Sequence, residues 1–250
     1  KNMNNLQKRI FTSIVLIAIV LSCLFVSSVT WSILLLIVSV TALYEFFFLI
    51  KKIYLNKKQS EKIETKIEDI FFKFSFWFFG GLYLAIFFST AQDIRELKGE
   101  FFVLFILLII IFSDVGGYIV GKIIGGVKLT KISPNKTISG SLGSFLFSLI
   151  PFGLIVLIIN FINFSEINNL GEAIWRLYLV EYREGFINVI VLCLSLSFVS
   201  QIGDLIISYF KRLAKVKDTG KFLPGHGGIL DRIDGIIFAI PFYYFFWIAL

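Results

Sequence analysis

Cysteine and histidine are scarce in this sequence, which has two cysteines and one histidine among 250 residues. Cys23 and Cys193 both lie inside long apolar runs, so the sequence predicts neither a disulfide framework nor a cysteine pair that binds a metal. A single histidine likewise provides no Cys/His pattern for zinc. There is also no Walker loop, G-x-x-x-x-G-K-[ST], which excludes the usual phosphate-binding loop of NTPases.

Charged residues are also few, at 16% of the chain, whereas 57% of the residues are hydrophobic. This composition excludes an ordinary water-soluble domain. A hydrocarbon core about 30 Å thick needs about 20 apolar residues per helix, and continuous apolar runs favour helices over barrel strands. We therefore predict a single domain over residues 1–250, folded as an all-α polytopic integral membrane helix bundle. About seven transmembrane helices are expected, near residues 10–28, 30–50, 71–91, 101–120, 140–162, 186–207 and 233–250.

The basic residues lie almost entirely on one side of this predicted bundle. Of the 24 Lys and Arg residues, all but Arg95, Lys98, Arg176 and Arg183 precede the first span or follow the second, fourth and sixth. The positive-inside rule places that side, and the N-terminus, in the cytoplasm. The net charge of +7 therefore favours anionic membrane lipids and soluble phosphates as partners. We expect no nucleic-acid partner, because the lysines are divided among membrane loops.

Residues 51–70 form the longest charged connection, and Ile63, Ile67 and Ile70 recur in it at helical spacing. This pattern fits a short helix on the cytoplasmic leaflet, and a solvated linker fits it equally well.

Gly117, Gly121 and Gly125 recur at four-residue spacing on one helix face at the end of the fourth predicted span. Such faces let helix backbones approach closely and are compatible with a homodimer, although direct approach of a ligand is an alternative.

Four carboxylates lie in or beside the predicted spans, all toward the cytoplasmic ends: Glu45, Asp114, Asp204 and Asp234. A charged group inside a bilayer costs about 2.5–3.5 kcal/mol on insertion scales, so such residues usually mark function. A structural pairing with lysine would explain one or two of them. Their convergence on the side that carries the other polar motifs favours a shared site.

A second polar cluster is residues 131–137, KISPNKT. Ser133 followed by Pro134 suits an N-cap and a first helical position, so we expect a helix to begin here. A helix N-terminus presents unpaired N–H groups that suit a phosphate, and Lys136 and Thr137 would add a cation and a hydroxyl. A simple capped helix start without a ligand is the alternative.

The stretch 208–234, SYFKRLAKVKDTGKFLPGHGGILDRID, combines cations, carboxylates and glycines between two apolar segments. Asp231 and Asp234 are three residues apart, hence on one helix face if the seventh span begins by residue 230. With Asp204 they supply hard oxygen ligands for Mg²⁺, which takes one or two carboxylates plus substrate phosphates and water. The glycines around His226 would expose N–H groups to an anion, although a lone histidine in such a turn is more often structural. These features favour phosphoryl or nucleotidyl transfer with a divalent metal.

The same residues resemble the phosphatidate cytidylyltransferase (CDP-diacylglycerol synthase) family. Its hallmark runs Ser-x-x-Lys-Arg, Lys-Asp-x-Gly, Pro-Gly-His-Gly-Gly and Asp-Arg-x-Asp. The resemblance covers residues 111–245, and extends to the first hundred only by general pattern. The chain departs from many members at residues 138–139, Ile-Ser in place of Trp-Glu, and at Ile207 in place of an acidic residue. The matching segments are Ser208–Arg212, Lys217–Gly220, Pro224–Gly228 and Asp231–Asp234, with Tyr44–Phe46, Asp114 and Ser133–Thr137 upstream.

The resemblance implies transfer of CMP from CTP to phosphatidate, giving CDP-diacylglycerol and pyrophosphate for phospholipid biosynthesis. It implies Mg²⁺ as cofactor and a bacterial inner membrane, with the active site facing the cytoplasm. The implied catalytic residues are Asp204, Asp231, Lys136 and His226. The implied metal ligands are Asp204 and Asp231, followed by Asp234 and Asp114. The implied substrate- and phosphate-binding residues are Ser133, Thr137, Lys211, Arg212, Lys217, Gly227, Gly228 and Arg232.

Three other functions remain open at the level of the sequence. A related CTP-dependent transferase would act on another lipid phosphate, such as an archaeal-type ether lipid or a polyprenol. A catalytically silent family member is a second alternative, because of the two departures from the hallmark. A transporter or channel would instead place its carboxylates at the bilayer midplane between weakly basic loops, which is not the distribution seen here.

Overall fold

The structure, a computed structural model, describes residues 5–60, 66–130, 132–161, 186–223 and 227–248. Within these ranges the backbone forms nine α-helices and a π-helical turn, without a named strand, so the predicted all-α class is confirmed. The helices are α1 (Asn5–Val26), α2 (Ser28–Ser60), α3 (Lys66–Lys98), α4 (Glu100–Ile124), α5 (Ile138–Ser148), α6 (Ile150–Phe161), α7 (Phe186–Leu213), α8 (Leu230–Ile233) and α9 (Ile236–Tyr243), followed by the π-helical turn Tyr244–Ile248.

Apolar helices long enough to cross a membrane account for most of the described chain. Five stretches have the required length and composition: Ser28–Asn56, Phe74–Lys98, Glu100–Ile124, Ile138–Ile158 and Ile187–Leu213. Shorter apolar helices, Ile10–Val26 and Ile236–Ile248, lie at the first and last predicted spans. The polytopic membrane bundle is thereby confirmed, whereas the number of crossings and the orientation of the N-terminus stay predictions.

The charged connection at 51–70 falls partly on the described helices. Residues 51–60 continue α2 and residues 66–70 begin α3, while residues 61–65 lie outside the described residues. The expected helix on the cytoplasmic leaflet therefore stays a prediction, as does the single domain.

Helix α4 lies at the centre of the bundle, where it contacts α3, α5, α6, α7 and α9. Its first half is apolar and buried, and the Phe102 ring lies 5.1 Å from the ring of Tyr243 in α9. In its second half, Gly116, Gly117 and Gly121 occupy the side that faces α5. A Cβ on Gly116 would lie 2.6 Å from the carbonyl oxygen of Gly143 in α5, so the two backbones touch. Of the three glycines predicted to pack helices, Gly117 and Gly121 lie against Gly140 of α5, which confirms the prediction for these two, whereas an added Cβ on Gly125 would meet nothing within 4 Å.

Buried polar contacts fix α7 to both of these helices. The hydroxyls of Ser113 in α4 and Ser197 in α7 lie 2.7 Å apart. Ser141 in α5 donates to Oε1 of Gln201 in α7 at 2.5 Å. Hydrogen bonds between helices are stabilising where water cannot compete. Because Ser113 immediately precedes Asp114, these contacts also hold together the segments of α4 and α7 that carry Asp114 and Asp204.

Helix α5 begins at Ile138, so the helix start expected at Ser133 is wrong. Thr137 is the N-cap residue, and its Oγ1 accepts a hydrogen bond from the backbone N–H of Gly140 at 3.0 Å. Ser133 lies in a turn in which its carbonyl accepts from the N–H of Lys136 at 3.0 Å. The physical reason is that backbone groups between 127 and 138 pair across a narrow hairpin, and are therefore not available for helical bonds.

Candidate active site

The loop between α7 and α8 is held by the carboxylate of Asp231. Its Oδ1 accepts a hydrogen bond from Lys211 Nζ at 2.8 Å. Its Oδ2 accepts from the N–H of Thr219 at 2.8 Å, from Thr219 Oγ1 at 3.0 Å and from the N–H of Gly228 at 3.0 Å. The Asp231 side chain is only 7% exposed. One aspartate therefore joins α8, the loop and the end of α7.

These donors decide the charge of Asp231. Burial alone would raise the pKa of its carboxyl group, because a dry environment disfavours the charged form. The hydrogen bond and positive charge of Lys211, with the N–H groups of Gly228 and Thr219, outweigh that effect and lower the pKa below 3.8. Asp231 and Lys211 therefore form an ion pair at neutral pH.

Glu45 reaches the same loop from α2 and is 4% exposed. Its Oε2 accepts from Thr219 Oγ1 at 2.8 Å and from the N–H of Leu230 at 2.9 Å. Its Oε1 accepts from the N–H of Ile229 at 3.0 Å. The sequence predicts Glu45 as an intramembrane carboxylate but does not predict Thr219, which contacts both buried acids.

Two glycines of the hallmark allow the loop backbone to lie directly against the carboxylate of Glu45. A Cβ on Gly220 or on Gly228 would overlap a carboxylate oxygen of Glu45. Gly227 has φ +87°, a conformation that favours glycine. These glycines therefore shape the loop around the carboxylates. His226, which the sequence predicts as a catalytic residue, lies outside the described residues, as do Pro224 and Gly225.

A second group of carboxylates comprises Asp114 within α4, Asp204 within α7 and Asp234 at the C-cap of α8. Asp204 pairs with Lys136 from the hairpin, and accepts a hydrogen bond from Ser208 Oγ at 3.2 Å. Asp114 and Asp234 both interact electrostatically with Asp204. Three predicted metal ligands thus belong to one group, whereas Asp231 is held by other partners.

The fit of this arrangement to Mg²⁺ differs between the two groups. Among the described residues, no three or more His, Cys, Asp or Glu side chains are grouped tightly enough to form a complete metal cage. Mg²⁺ does not need one, since it commonly takes one or two carboxylates with substrate phosphates and water. Asp204 with Asp114 or Asp234 fits that pattern. Asp231 does not fit it in this geometry, because its two oxygens already accept four hydrogen bonds.

Two of the predicted phosphate-binding cations contact these carboxylates. Lys136 and Lys211 are paired with Asp204 and Asp231, as described above. Arg212 Nε donates to the carbonyl oxygen of Ile132 at 3.3 Å, which ties the end of α7 to the hairpin. The side chains of Lys217 and Arg232 are exposed. Of the remaining predicted residues, Ser133 and Thr137 lie in the hairpin, and Gly227 and Gly228 lie in the loop beside Asp231.

Several known proteins are similar to part of this chain. Residues 53–250 match the cytidylyltransferase family. The phosphatidate cytidylyltransferase of Staphylococcus saprophyticus is 38% identical over 160 residues, which are 64% of this chain and 53% of that protein. That of Staphylococcus haemolyticus is 39% identical over 162 residues, 64% of this chain and 52% of that protein. That of Staphylococcus epidermidis is 39% identical over 161 residues, which are 64% of this chain and 53% of that protein.

The chain spans about half the length of the curated relatives it matches. The family match, by contrast, includes α3 to α9 and every carboxylate described above except Glu45. On that match, this chain belongs to the cytidylyltransferase family.

Proposed function

We propose that the protein transfers CMP from CTP to phosphatidate, forming CDP-diacylglycerol and pyrophosphate in phospholipid biosynthesis. The observation that carries this proposal is the pair of lysine–aspartate contacts, Lys136–Asp204 and Lys211–Asp231, beside one group of carboxylates. The positive charge of Lys211 also attracts the carboxyl group of Asp234, whereas the negative charge of Asp204 repels it. Lys211 therefore connects the two groups of carboxylates.

The proposed reaction needs no nucleophile from the protein. An oxygen of the phosphatidate phosphate attacks the α-phosphorus of CTP, a new P–O bond forms, and the bond between the α- and β-phosphates breaks. The electron pair leaves with pyrophosphate. Catalysis of this kind depends on positioning and on stabilisation of charge at the phosphates.

The lysines are suited to this task because each ammonium has three N–H donors. The contact of Lys136 with Asp204, or of Lys211 with Asp231, uses one donor and leaves others for phosphate oxygens. The aspartates meanwhile fix the direction of each ammonium. Bound Mg²⁺, held by Asp204 with Asp114 or Asp234, would supply further neutralisation of the phosphates.

The proposed location is the cytoplasmic membrane of a bacterium, with this site facing the cytoplasm. The basic loops and the bacterial relatives support it. CTP is water-soluble and phosphatidate is a membrane lipid, so the reaction requires a site at the interface. Lys217 and Arg232 are exposed, and their positive charges would attract both substrates and anionic lipids in general.

The test is an assay of the full-length protein, purified in lipid vesicles with CTP. We expect a lipid-linked cytidine product when phosphatidate is the acceptor, loss of the product with EDTA, and recovery with added Mg²⁺. A preference for polyprenyl phosphate or an ether-lipid phosphate would favour the alternative acceptors. No product with any acceptor would contradict the proposal and favour a catalytically silent protein.

A further inference from the structure

We propose that Glu45 and Thr219 are positioning residues that fix the Asp231–Lys211 ion pair for reaction. The inference rests on the proposed cytidylyl transfer and assigns a role to residues that would touch neither substrate. Glu45 lies in α2 and Lys211 in α7, so the connection joins helices that are far apart in the sequence.

The connection runs through one hydroxyl group. Thr219 Oγ1 lies 2.8 Å from Glu45 Oε2 and 3.0 Å from Asp231 Oδ2. A hydroxyl has a single hydrogen, so the two carboxylates share it. Glu45 and Thr219 are 4% and 2% exposed, and water therefore has little access to replace either partner. A buried acceptor that loses its donor pays the full cost of desolvation.

The same contacts fix the conformation of the loop. Glu45 accepts from the N–H groups of Ile229 and Leu230, directly before Asp231. Thr219 donates twice to Asp231, through its N–H and its hydroxyl. The position of the Asp231 carboxylate thus depends on Thr219, and the position of Thr219 depends on Glu45.

Lys211 is the group that this arrangement directs. Its Nζ donates to Asp231 Oδ1, the oxygen that Thr219 does not contact. A shift of the Asp231 carboxylate would move the ammonium away from the phosphates it is proposed to bind. Displacements of about 1 Å in a catalytic arrangement can cost about 100-fold in rate.

The test compares substitutions that differ by one functional group. Thr219→Val keeps the shape of the side chain and removes the hydroxyl, whereas Thr219→Ser keeps the hydroxyl. We expect Thr219→Val to lower kcat roughly 10- to 100-fold, with KM for CTP changed less than about threefold. Thr219→Ser should recover most of that loss. Glu45→Gln should resemble Thr219→Val, and the double variant should cost no more than the worse single variant, because both break one connection.

A second readout does not depend on activity. Lys217 and Lys221 are exposed and flank Thr219, so trypsin cleavage after them reports the order of the loop. Mass spectrometry would measure this cleavage, with cleavage after the exposed Lys128 of the hairpin as an internal reference. We expect Thr219→Val and Glu45→Gln to be cleaved at least about threefold faster in the loop, with cleavage after Lys128 unchanged.

The outcomes separate this inference from the proposed function. Wild-type cleavage and wild-type kcat in both Thr219→Val and Glu45→Gln would overturn the inference. Faster loop cleavage with unchanged kcat would overturn it too, because the contacts would then be only structural. A wild-type protein without transferase activity, whose loop protection still requires Glu45, would contradict the proposed function and leave the Glu45–Thr219 connection established. Unchanged gel-filtration profiles would confirm that the variants fold.

Discussion

The carboxylate of Asp231 illustrates how the protein keeps a charge in a nearly dry environment. Isolated burial of a carboxylate is strongly unfavourable, and such groups persist only where donors and opposite charges surround them. Asp231 has four hydrogen bonds, one of them from the ammonium of Lys211. These contacts make the aspartate an anchor for the loop and leave Asp204 as the better candidate for binding a metal.

The lowered pKa of Asp231 predicts how the loop responds to acid. Because its pKa in the folded protein is below 3.8, the charged carboxylate stabilises the loop at every pH above 3.8, and this contribution decreases as the pH falls through the folded pKa. Hydrogen exchange of residues 217–223 and 227–230, corrected for intrinsic rates, should show constant protection from pH 8 to 5 and a loss below about 3.8. Asp231→Asn should lack this acid transition. A transition near pH 6 in the wild-type protein would contradict the assignment.

The two lysines of the loop region provide a second test of individual side chains. The Lys211 side chain is 13% exposed and pairs with Asp231, whereas Lys221 is exposed in the loop that follows α7. Lys211→Ala should lower kcat/KM at least about 100-fold, because it removes a charge-assisted contact to a phosphate and leaves Asp231 unpaired. Lys221→Ala should change it less than about threefold. Equal losses in the two variants would indicate that only the total positive charge matters.

At the level of helices, the close contact between α4 and α5 determines where the site can form. Glycine at 116 and 143 lets the backbones touch, and the hairpin that carries Lys136 follows directly from the end of α4. Lys136 reaches Asp204 because α5 begins so close to α4 and α7. The packing of these helices therefore brings Lys136 and Asp204 into contact.

Substitution of one of these glycines tests whether the stability of the protein depends on the close contact between α4 and α5. A Cβ on Gly116 would lie 2.6 Å from the Gly143 carbonyl oxygen, so Gly116→Ala must separate the helices at a cost of about 1–3 kcal/mol. Gly153, in α6, has no atom within 4 Å of an added Cβ and is the matched control. Melting in detergent, followed by gel filtration, should show a lower Tm for Gly116→Ala and a Tm equal to or above wild type for Gly153→Ala. The reverse order would disprove the packing argument.

For the whole molecule, the distribution of positive charge predicts an orientation that labelling can measure. In a background where Cys23 and Cys193 are alanine, single cysteines at Leu97 and Lys221, both exposed, would mark opposite faces of the membrane. An impermeant maleimide added to intact cells should label Leu97→Cys, and should label Lys221→Cys only after lysis. The opposite pattern would reverse the predicted orientation and place the site outside the cytoplasm.

Much of this molecule could be predicted from the sequence, since apolar runs and charged loops have strong physical signatures. Asp231 and Lys211 belong to a specific motif, and the structure shows them in contact. Thr219 could not be recognised, because a threonine in a loop has no pattern that reveals two buried acids beside it. Ser133 was misleading because local Ser-Pro preference favours a helix start, whereas pairing across the hairpin is a contact that local sequence does not specify.

The most direct test of the central claim follows the phosphorus atoms of CTP. The protein in vesicles containing phosphatidate would receive CTP labelled at either the α- or the γ-phosphate, with Mg²⁺. Cytidylyl transfer predicts α-label in the lipid product and γ-label in soluble pyrophosphate, with both signals reduced at least about 100-fold in Asp204→Asn. Transfer of γ-label to lipid, or undiminished α-label transfer by Asp204→Asn, would contradict the account.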